Sequence, residues 1–439
     1  MTDARRIVYD ALLLAEDKEA TFRLASDVLD KYSYLDQSDR SFIKRLIEGV
    51  TERRITLDHV ISSYSSIPVS KMKKQIRTLL RMGTYQLLFM DGTADHAAVN
   101  ETVKLAKKTG FVRLAGFVNG VLRSISTNKD SIPWPDEAGD PVKYMSVMYS
   151  CPEWIVSKLI KEQGSKNAED ILKLSVSTRA VMARVNLSKT SVKAVTDGGY
   201  AVASDICDCA VVLKDYDNIT GIPAFIDGSI IIQDLSSMLA VIVAGIKETD
   251  TVLDLCASPG GKSLHAADLA KRGRVISCDV SERKISKIKE NALRCGFDNI
   301  DIRISDATVY NEEFEETADV VIADVPCSGL GVMGRKNDIK YNITEESILS
   351  LTTLQRQILE NAARYVKKGG TLLFSTCTCS ECENNDNVRY LKEECHLKSV
   401  DFHDDIPDVL KNDTAREGYL QLYGRDGITD GFFMAKFEK

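Results

Sequence analysis

The stretch at residues 251–263, TVLDLCASPGGKS, constrains the fold more than any other part of this 439-residue chain. Thr251, Val252, Leu253 and Leu255 form a short apolar run, Gly260 and Gly261 interrupt it, and a helix-compatible segment starts at Ser263. That order reads as strand, tight turn, helix. Two adjacent glycines carry no Cβ and permit φ > 0, so the turn lets a ligand reach bare N–H groups and the positive end of the next helix. Gly261-Lys262-Ser263 looks like the end of a phosphate-binding P-loop, but the position five before Gly261 is Cys256, and a GxGxxG fingerprint is absent.

From residue 235 to the end, apolar runs alternate with amphipathic helical stretches, which predicts a mostly parallel, Rossmann-like α/β sheet. The runs are TVLDLCA, RVISCDV, IDIRISDA, ADVVIADVP and GTLLFSTC, with GFFMAKFEK as a last strand. In such sheets ligands bind beyond the carboxyl ends of the strands. Those ends carry Asp279, Asp306, Asp324 with Cys327 close behind, and Ser375-Thr376-Cys377. An acid such as Asp279 at the end of a second strand accepts hydrogen bonds from ribose hydroxyls of a bound nucleoside. Any one of these acids alone also fits a turn or cap; their recurrence at successive strand ends points to a site.

If the fourth and fifth strands are neighbours, Cys327 and Cys377 face one pocket. Either thiol alone reads as a small buried apolar residue, whereas two at adjacent strand ends suggest covalent chemistry. Cys377, Cys379 and Cys382 have a spacing open to a metal, with Cys395 and His396 as distant recruits, but no second ligand pair follows at close range. No metal is expected. The eleven cysteines are scattered and odd in number, which fits a reducing compartment rather than a disulfide framework.

Residues 1–130 read as an all-helical bundle. Ile7, Ala11 and Leu14 share a face; Ile43, Leu46, Ile47 and Val50 follow the capping-type Asp36-Gln37-Ser38-Asp39; Ile76, Leu79, Leu80 and Leu87 continue the period. This segment holds 21 Lys and Arg against 16 Asp and Glu, an excess of five in a chain whose net charge is −7. The basic part is therefore the amino-terminal one, consistent with either a solvated surface or nucleic-acid contact. Residues 131–148 read as a linker, opening with the Pro- and Gly-rich SIPWPDEAGDP, and residues 149–234 as a small α/β domain with β-like pieces VMARVNL, AVVLKDY and GSIIIQDL. The start MTDARRIVYD lacks a signal-peptide layout and no apolar run reaches membrane-span length, so a cytoplasmic protein without a membrane partner is expected.

LDLCASPGGKS resembles the first cofactor-binding motif of the S-adenosylmethionine-dependent RNA cytosine-C5 methyltransferases. DRSFIKRLIEGV, VNETVKLAKK and FVNGVLRSI resemble the NusB fold, an RNA-binding helical bundle. With DVPCSGLG, RKNDIKY, LQRQILENAARYVKKGGTLLFSTC and DGFFMAKF, the whole chain resembles the RsmB (Sun/Fmu) family of bacterial 16S rRNA cytosine-C5 methyltransferases. The resemblance implies S-adenosyl-L-methionine as cofactor, 16S rRNA as partner and a monomeric enzyme whose residues 149–234 help seat RNA. Carbon 5 of cytosine is a poor nucleophile until a thiolate adds to carbon 6. Carried over, Cys377 attacks, Cys327 assists later steps and Asp324 shares a proton at N3. Cys256, Ala257, Ser258, Pro259, Gly260, Gly261, Lys262, Asp279, Asp306 and Asp324 then line the cofactor site, with Asp306 by the adenine. A sulfonium or Lys262 could help ionise the nucleophile. Asn337 and Tyr341 stand where the family often has proline and tryptophan, and Cys379 is a spare thiol two residues from Cys377. The rivals are another RNA or DNA cytosine methyltransferase and a non-catalytic RNA-binding or antitermination factor.

Overall fold

The computed structural model describes residues 3–17, 24–177, 179–216, 218–424, 427 and 429–439. Met1 and Thr2, which head the stretch read for a targeting signal, lie outside the described residues. The chain forms two compact units, Met1–Ser177 with Met333–Asn342, and Thr178–Val332 with Ile343–Lys439. Among the described residues no helix is long and apolar enough to cross a membrane.

The first unit is helical. Asp36 caps the helix Gln37–Glu52 by accepting from the Asp39 N–H at 2.9 Å, and that helix buries Ile43, Leu46, Ile47 and Val50. Ile76, Leu79, Leu80 and Leu87 are buried along Lys74–Phe89. In Ala4–Asp17 the buried stripe runs Ile7, Val8, Ala11 and Leu12, so Leu14, expected on that face, is 61% exposed. A position two beyond Leu12 has turned about 200° away from it. Part of the basic excess is spent inside the bundle: Arg81 donates to both Asp58 oxygens at 2.7 and 2.6 Å and to Glu16 at 2.7 Å, while Arg77 pairs with Glu16 at 2.9 Å.

After irregular backbone at residues 132–140, Asp140 caps Pro141–Met148, with the proline at the helix start. The helix Glu153–Leu174 follows, interrupted at Gly164 where φ is 76°. Residues 149–174, helical from Glu153 on, thus belong to the first unit, although the sequence reading attaches them to the small α/β domain. The RKNDIKY stretch also lies in this unit. Tyr341 donates to the Glu52 carbonyl at 2.9 Å and meets Ser150 Oγ at 2.9 Å, while Arg54 stacks on its ring at 3.9 Å. Lys340, fully buried, has its pKa pulled down to about 8 by burial. Tyr341, one of the two departures from the resembled family, is an anchor of this unit.

The second unit opens with an antiparallel sheet of β1 (Met182–Val185), β2 (Ala201–Ala203), β3 (Ala210–Leu213) and β4 (Ile230–Ile232), in order β2-β3-β1-β4. The main sheet follows: β5 (Thr251–Asp254), β6 (Arg274–Asp279), β7 (Ile300–Ile304), β8 (Ala318–Asp324), β9 (Val366–Thr376), β10 (Lys398–Ser399), β11 (Tyr419–Tyr423) and β12 (Gly431–Glu438). Its order is β10-β12-β9-β8-β5-β6-β7, with β11 paired to β12. β5 through β9 pair in parallel and β12 runs antiparallel to β9, so the sheet is Rossmann-like and mostly parallel, as expected. Central strands covered on both faces by helices need apolar residues at nearly every position. β8 meets that demand, burying Val320, Val321, Ile322 and Ala323. Helices Gly261–Leu269, Glu282–Cys295 and Glu345–Tyr365 supply the crossovers.

Candidate active site

β5 ends at Asp254 and hands over to a turn that closes with the Gly260 N–H donating to the Ala257 carbonyl at 2.7 Å. The Ser258–Pro259 peptide is cis. Gly260 adopts φ 108°, a value that L side chains resist, and caps Gly261–Leu269. The two glycines do different work. A Cβ on Gly260 would face Ile288 at 3.5 Å, so this position serves the backbone bend; one on Gly261 would face Gln233 at 3.7 Å across a cleft.

That cleft is lined by Gln233, Asp234, Asp254, Cys256, Ala257, Ser258, Pro259, Gly261, Lys262 and Asp324 among others. Gln233 Oε1 and Asp254 Oδ1 are buried there without a hydrogen-bond partner among the described residues. Burial raises the Asp254 pKa from 3.8 to about 7, although Ser263 donates to its other oxygen at 2.6 Å. Burial likewise pushes the Cys256 thiol well above its usual range. Neither Gln233 nor Asp254 is among the sequence-derived candidates: the first lies in the QDLSS stretch and the second inside LDLC, where it reads as part of a strand.

Asp279, at the end of β6, is buried at the edge of the turn. It accepts from the Ser258 N–H at 3.0 Å and pairs with Lys284 at 3.0 Å. Asp306 is exposed, and its carboxylate accepts from the Thr308 N–H and hydroxyl at 2.9 and 2.7 Å, which holds its pKa below the usual carboxylate value. Asp306 does not line the cleft.

Parallel pairing of β8 with β9 sets Asp324 opposite Ser375 and brings the two cysteine loops together. Asp324 accepts from the Lys262 ammonium at 2.7 Å and from the Ser375 hydroxyl at 2.7 Å. Lys262 is therefore committed to a carboxylate, a different partner from the thiol considered for it. Cys327 Sγ and Cys377 Sγ lie 3.0 Å apart, both partly exposed, and the Cys377 N–H reaches Cys327 Sγ at 3.3 Å. The hydrogen bond with Cys377, followed by burial, raises the Cys327 pKa well above that of an ordinary thiol.

Beneath the thiols sits Glu383, fully buried. It accepts from the Ser328 N–H at 2.8 Å, from the Ser328 hydroxyl at 2.5 Å, from Gln355 Nε2 at 3.0 Å and from Thr378 Oγ1 at 3.3 Å. Ser328 follows Cys327 and Thr378 follows Cys377, so one carboxylate ties both loops. Asn384 adds a second tie, accepting from Thr376 Oγ1 at 2.6 Å and donating to the Thr378 carbonyl at 3.0 Å. Both residues lie in ECENN, a polar stretch that carries no apolar period. The three thiols of CTCSEC diverge: Cys379 is fully buried against Gln421 Nε2 at 3.5 Å, and Cys382 meets Ser380 Oγ at 3.3 Å. Among the described residues no three His, Cys, Asp or Glu side chains converge to hold a metal.

The family described as 16S rRNA methyltransferase RsmB/F matches residues 241–438, and the NusB family matches residues 2–127. The probable ribosomal RNA small subunit methyltransferase B of Bacillus subtilis (strain 168) is 35% identical, covering 100% of this chain and 99% of the relative. The ribosomal RNA small subunit methyltransferase B of Erwinia tasmaniensis is 29% identical over 91% of each chain. Among solved structures, PH0851 matches with a TM-score of 0.79 at 24% identity, covering 100% of this chain and 99% of that one. NSun6 from Pyrococcus horikoshii with SFG matches at a TM-score of 0.57 and 20% identity, covering 66% of this chain and 98% of that one. The first of these relatives is similar enough, end to end, to settle the family: the chain belongs to the ribosomal RNA small subunit methyltransferases B.

Proposed function

We propose that the chain methylates carbon 5 of a cytidine in 16S rRNA, with S-adenosyl-L-methionine as methyl donor and a covalent bond from Cys377 to carbon 6 of the base. The observation that carries this reading is the 3.0 Å approach of two reachable thiols at the ends of neighbouring strands, beside a cleft of carboxylates. The donor set of that cleft fits the cofactor. Two buried acceptors without a partner among the described residues, Gln233 Oε1 and Asp254 Oδ1, call for a ligand rich in N–H or O–H donors. S-adenosylmethionine carries an ammonium, ribose hydroxyls and a sulfonium, and the NSun6 relative of the fold was solved with SFG, an analogue of it.

When bound, the cofactor supplies an electrophilic methyl group. The chain's own residues prepare the base to accept it. Cys377 Sγ forms a bond to carbon 6, and the electron pair of the 5,6 double bond becomes available at carbon 5. The charge that builds at N3 is met by a proton that the Lys262 ammonium gives up through the Asp324 carboxylate, which Lys262 and Ser375 hold in place. The resemblance of Ser375-Thr376-Cys377 to the family's motif makes Cys377 the nucleophile of the pair. Cys327 acts later, as the carbon 5 proton departs and the Sγ–C6 bond breaks. Cys379 is fully buried and takes no part. Residues 1–130, with the NusB match, are the RNA-binding part, and the enzyme works as a monomer in the cytoplasm, where the rRNA is.

Bisulfite sequencing of total RNA from cells with and without the gene tests this reading. One 16S cytidine should lose its protection in the deletion strain; an unchanged 5-methylcytidine map would favour a binding factor instead.

A further inference from the structure

A second cavity in the same unit, of about 690 Å3, shares no lining residue with the cofactor cleft. Cys207 and Cys209 stand on its wall with their sulfurs 3.3 Å apart. They are brought together by a tight turn into β3, in which the Ala210 N–H donates to the Cys207 carbonyl at 2.9 Å. Arg184, fully buried on β1, lines the same cavity. One of its nitrogens pairs with Asp268 at 2.6 Å, but its Nε and Nη2 have no partner among the described residues. A buried guanidinium with unmet donors favours negative charge nearby, and the charge that two adjacent thiols can supply is a thiolate. The hydrogen bond with Cys209 lowers the Cys207 pKa and raises that of Cys209, and Arg184 draws both down. At the rim, the exposed acids are matched by bases: Arg272 pairs with Glu248 at 2.8 Å, Lys411 lies 3.9 Å from Asp404 and Lys436 lies 3.6 Å from Asp405.

We propose that Cys207 and Cys209 form a thiol–disulfide exchange site whose cavity admits small aliphatic disulfides. The Cys207 thiolate attacks one sulfur of the reagent, forming a mixed disulfide and releasing one equivalent of small thiolate. The Cys209 sulfur, losing its proton to solvent, then attacks the Cys207 sulfur, forming the Cys207–Cys209 bond and releasing the second thiolate. Overall the dithiol loses two electrons and two protons, and the disulfide reagent is reduced to two thiols. Neither sulfur belongs to the methyl-transfer site, so the proposal stands apart from the function argued above.

Cystamine, as the probe, tests it on the full-length chain, with acid quenching, alkylation and tryptic mapping. Residues 194–214 form one tryptic peptide that contains Cys207 and Cys209 and no other cysteine. That peptide should become two hydrogens lighter and resist alkylation, whatever happens at Cys327 and Cys377. In Cys209→Ser, Cys207 should retain one cysteamine; in Cys207→Ser, Cys209 should stay unmodified over the same time. A pair that remains fully alkylatable in the folded chain while reacting in the unfolded one would overturn the site. Equal labelling of the two single variants would overturn the assigned order.

Discussion

The Ser328 N–H lies 2.8 Å from Glu383 Oε1, and through this contact a buried acid holds the residue beside Cys327 while Thr378, beside Cys377, approaches its other oxygen. The 3.0 Å spacing of the two thiols therefore rests on a side chain that touches neither.

Replacing Glu383 with alanine leaves the Ser328 and Gln355 donors unpaired in the interior, at about 1–3 kcal/mol each, and the melting temperature should fall by several degrees. Glu383→Gln keeps the shape but turns an amide toward those donors. It should lower kcat at least about tenfold while leaving S-adenosylmethionine affinity unchanged, because the cofactor cleft does not include Glu383. Single-turnover rates with calorimetric titration check the split; equal kcat in Glu383→Gln and the parent would remove this positioning role.

The two glycines of the turn should fail in different ways. Gly260→Ala forces a Cβ onto φ 108° and should cost about 1–3 kcal/mol of stability, read by denaturant titration, since the added methyl meets Ile288 rather than the cleft. Gly261→Val projects into the cleft toward Gln233 and should weaken cofactor binding with a smaller loss of stability. Calorimetry on both folded variants separates a backbone role from a ligand-facing one.

Asp254 should make cofactor binding depend on pH. Its folded pKa, about 7, exceeds the ordinary 3.8 because of burial, so between those values the folded chain holds a proton that the unfolded chain has lost. Stability from this group is present at low pH and declines as pH rises toward 7. A ligand donor at Oδ1 favours the carboxylate, so S-adenosylmethionine affinity should increase from pH 6 to pH 8. Asp254→Asn should flatten both profiles; an Asn variant with the parent's pH dependence would exclude this residue.

RNA affinity should fall with salt through exposed lysines of the helical unit, because Arg77 and Arg81 are engaged within the bundle. Lys71, Lys73 and Lys107 are exposed. Replacing each with alanine in the full chain should reduce the slope of log affinity against log salt by about one for every phosphate that is no longer neutralised. A slope that none of the three changes would place the RNA-binding surface elsewhere.

The main sheet was legible because its strands are buried on both faces and its turn residues are chemically restricted: TVLDLCASPGGKS and ADVVIADVP announce strands whatever surrounds them. The bundle was legible to the same extent, except where a stripe had to be chosen: Leu14 and Leu12 are equally apolar, and only packing decides which is buried. β2, β10 and β11 were missed, since three- and two-residue strands and an edge strand carry too short a pattern. Glu383 and Asn384 were illegible for a different reason. A charged and an amide residue in a polar stretch look solvated until the fold wraps Ser328, Gln355 and Thr378 around them. The placement of Tyr341 inside the helical unit likewise depends on Ser150 and Glu52, far away in sequence.

Trapping the enzyme on its RNA tests the central claim most directly. Full-length chain, Cys327→Ala and Cys377→Ala are incubated with labelled 16S rRNA and S-adenosylmethionine, then run on a denaturing gel, with Cys379→Ala as an active control. If Cys377 attacks carbon 6, Cys377→Ala forms no linked species, and Cys327→Ala accumulates a denaturant-stable complex that releases slowly. A trapped complex from Cys377→Ala and none from Cys327→Ala would contradict the account and place the nucleophile at Cys327.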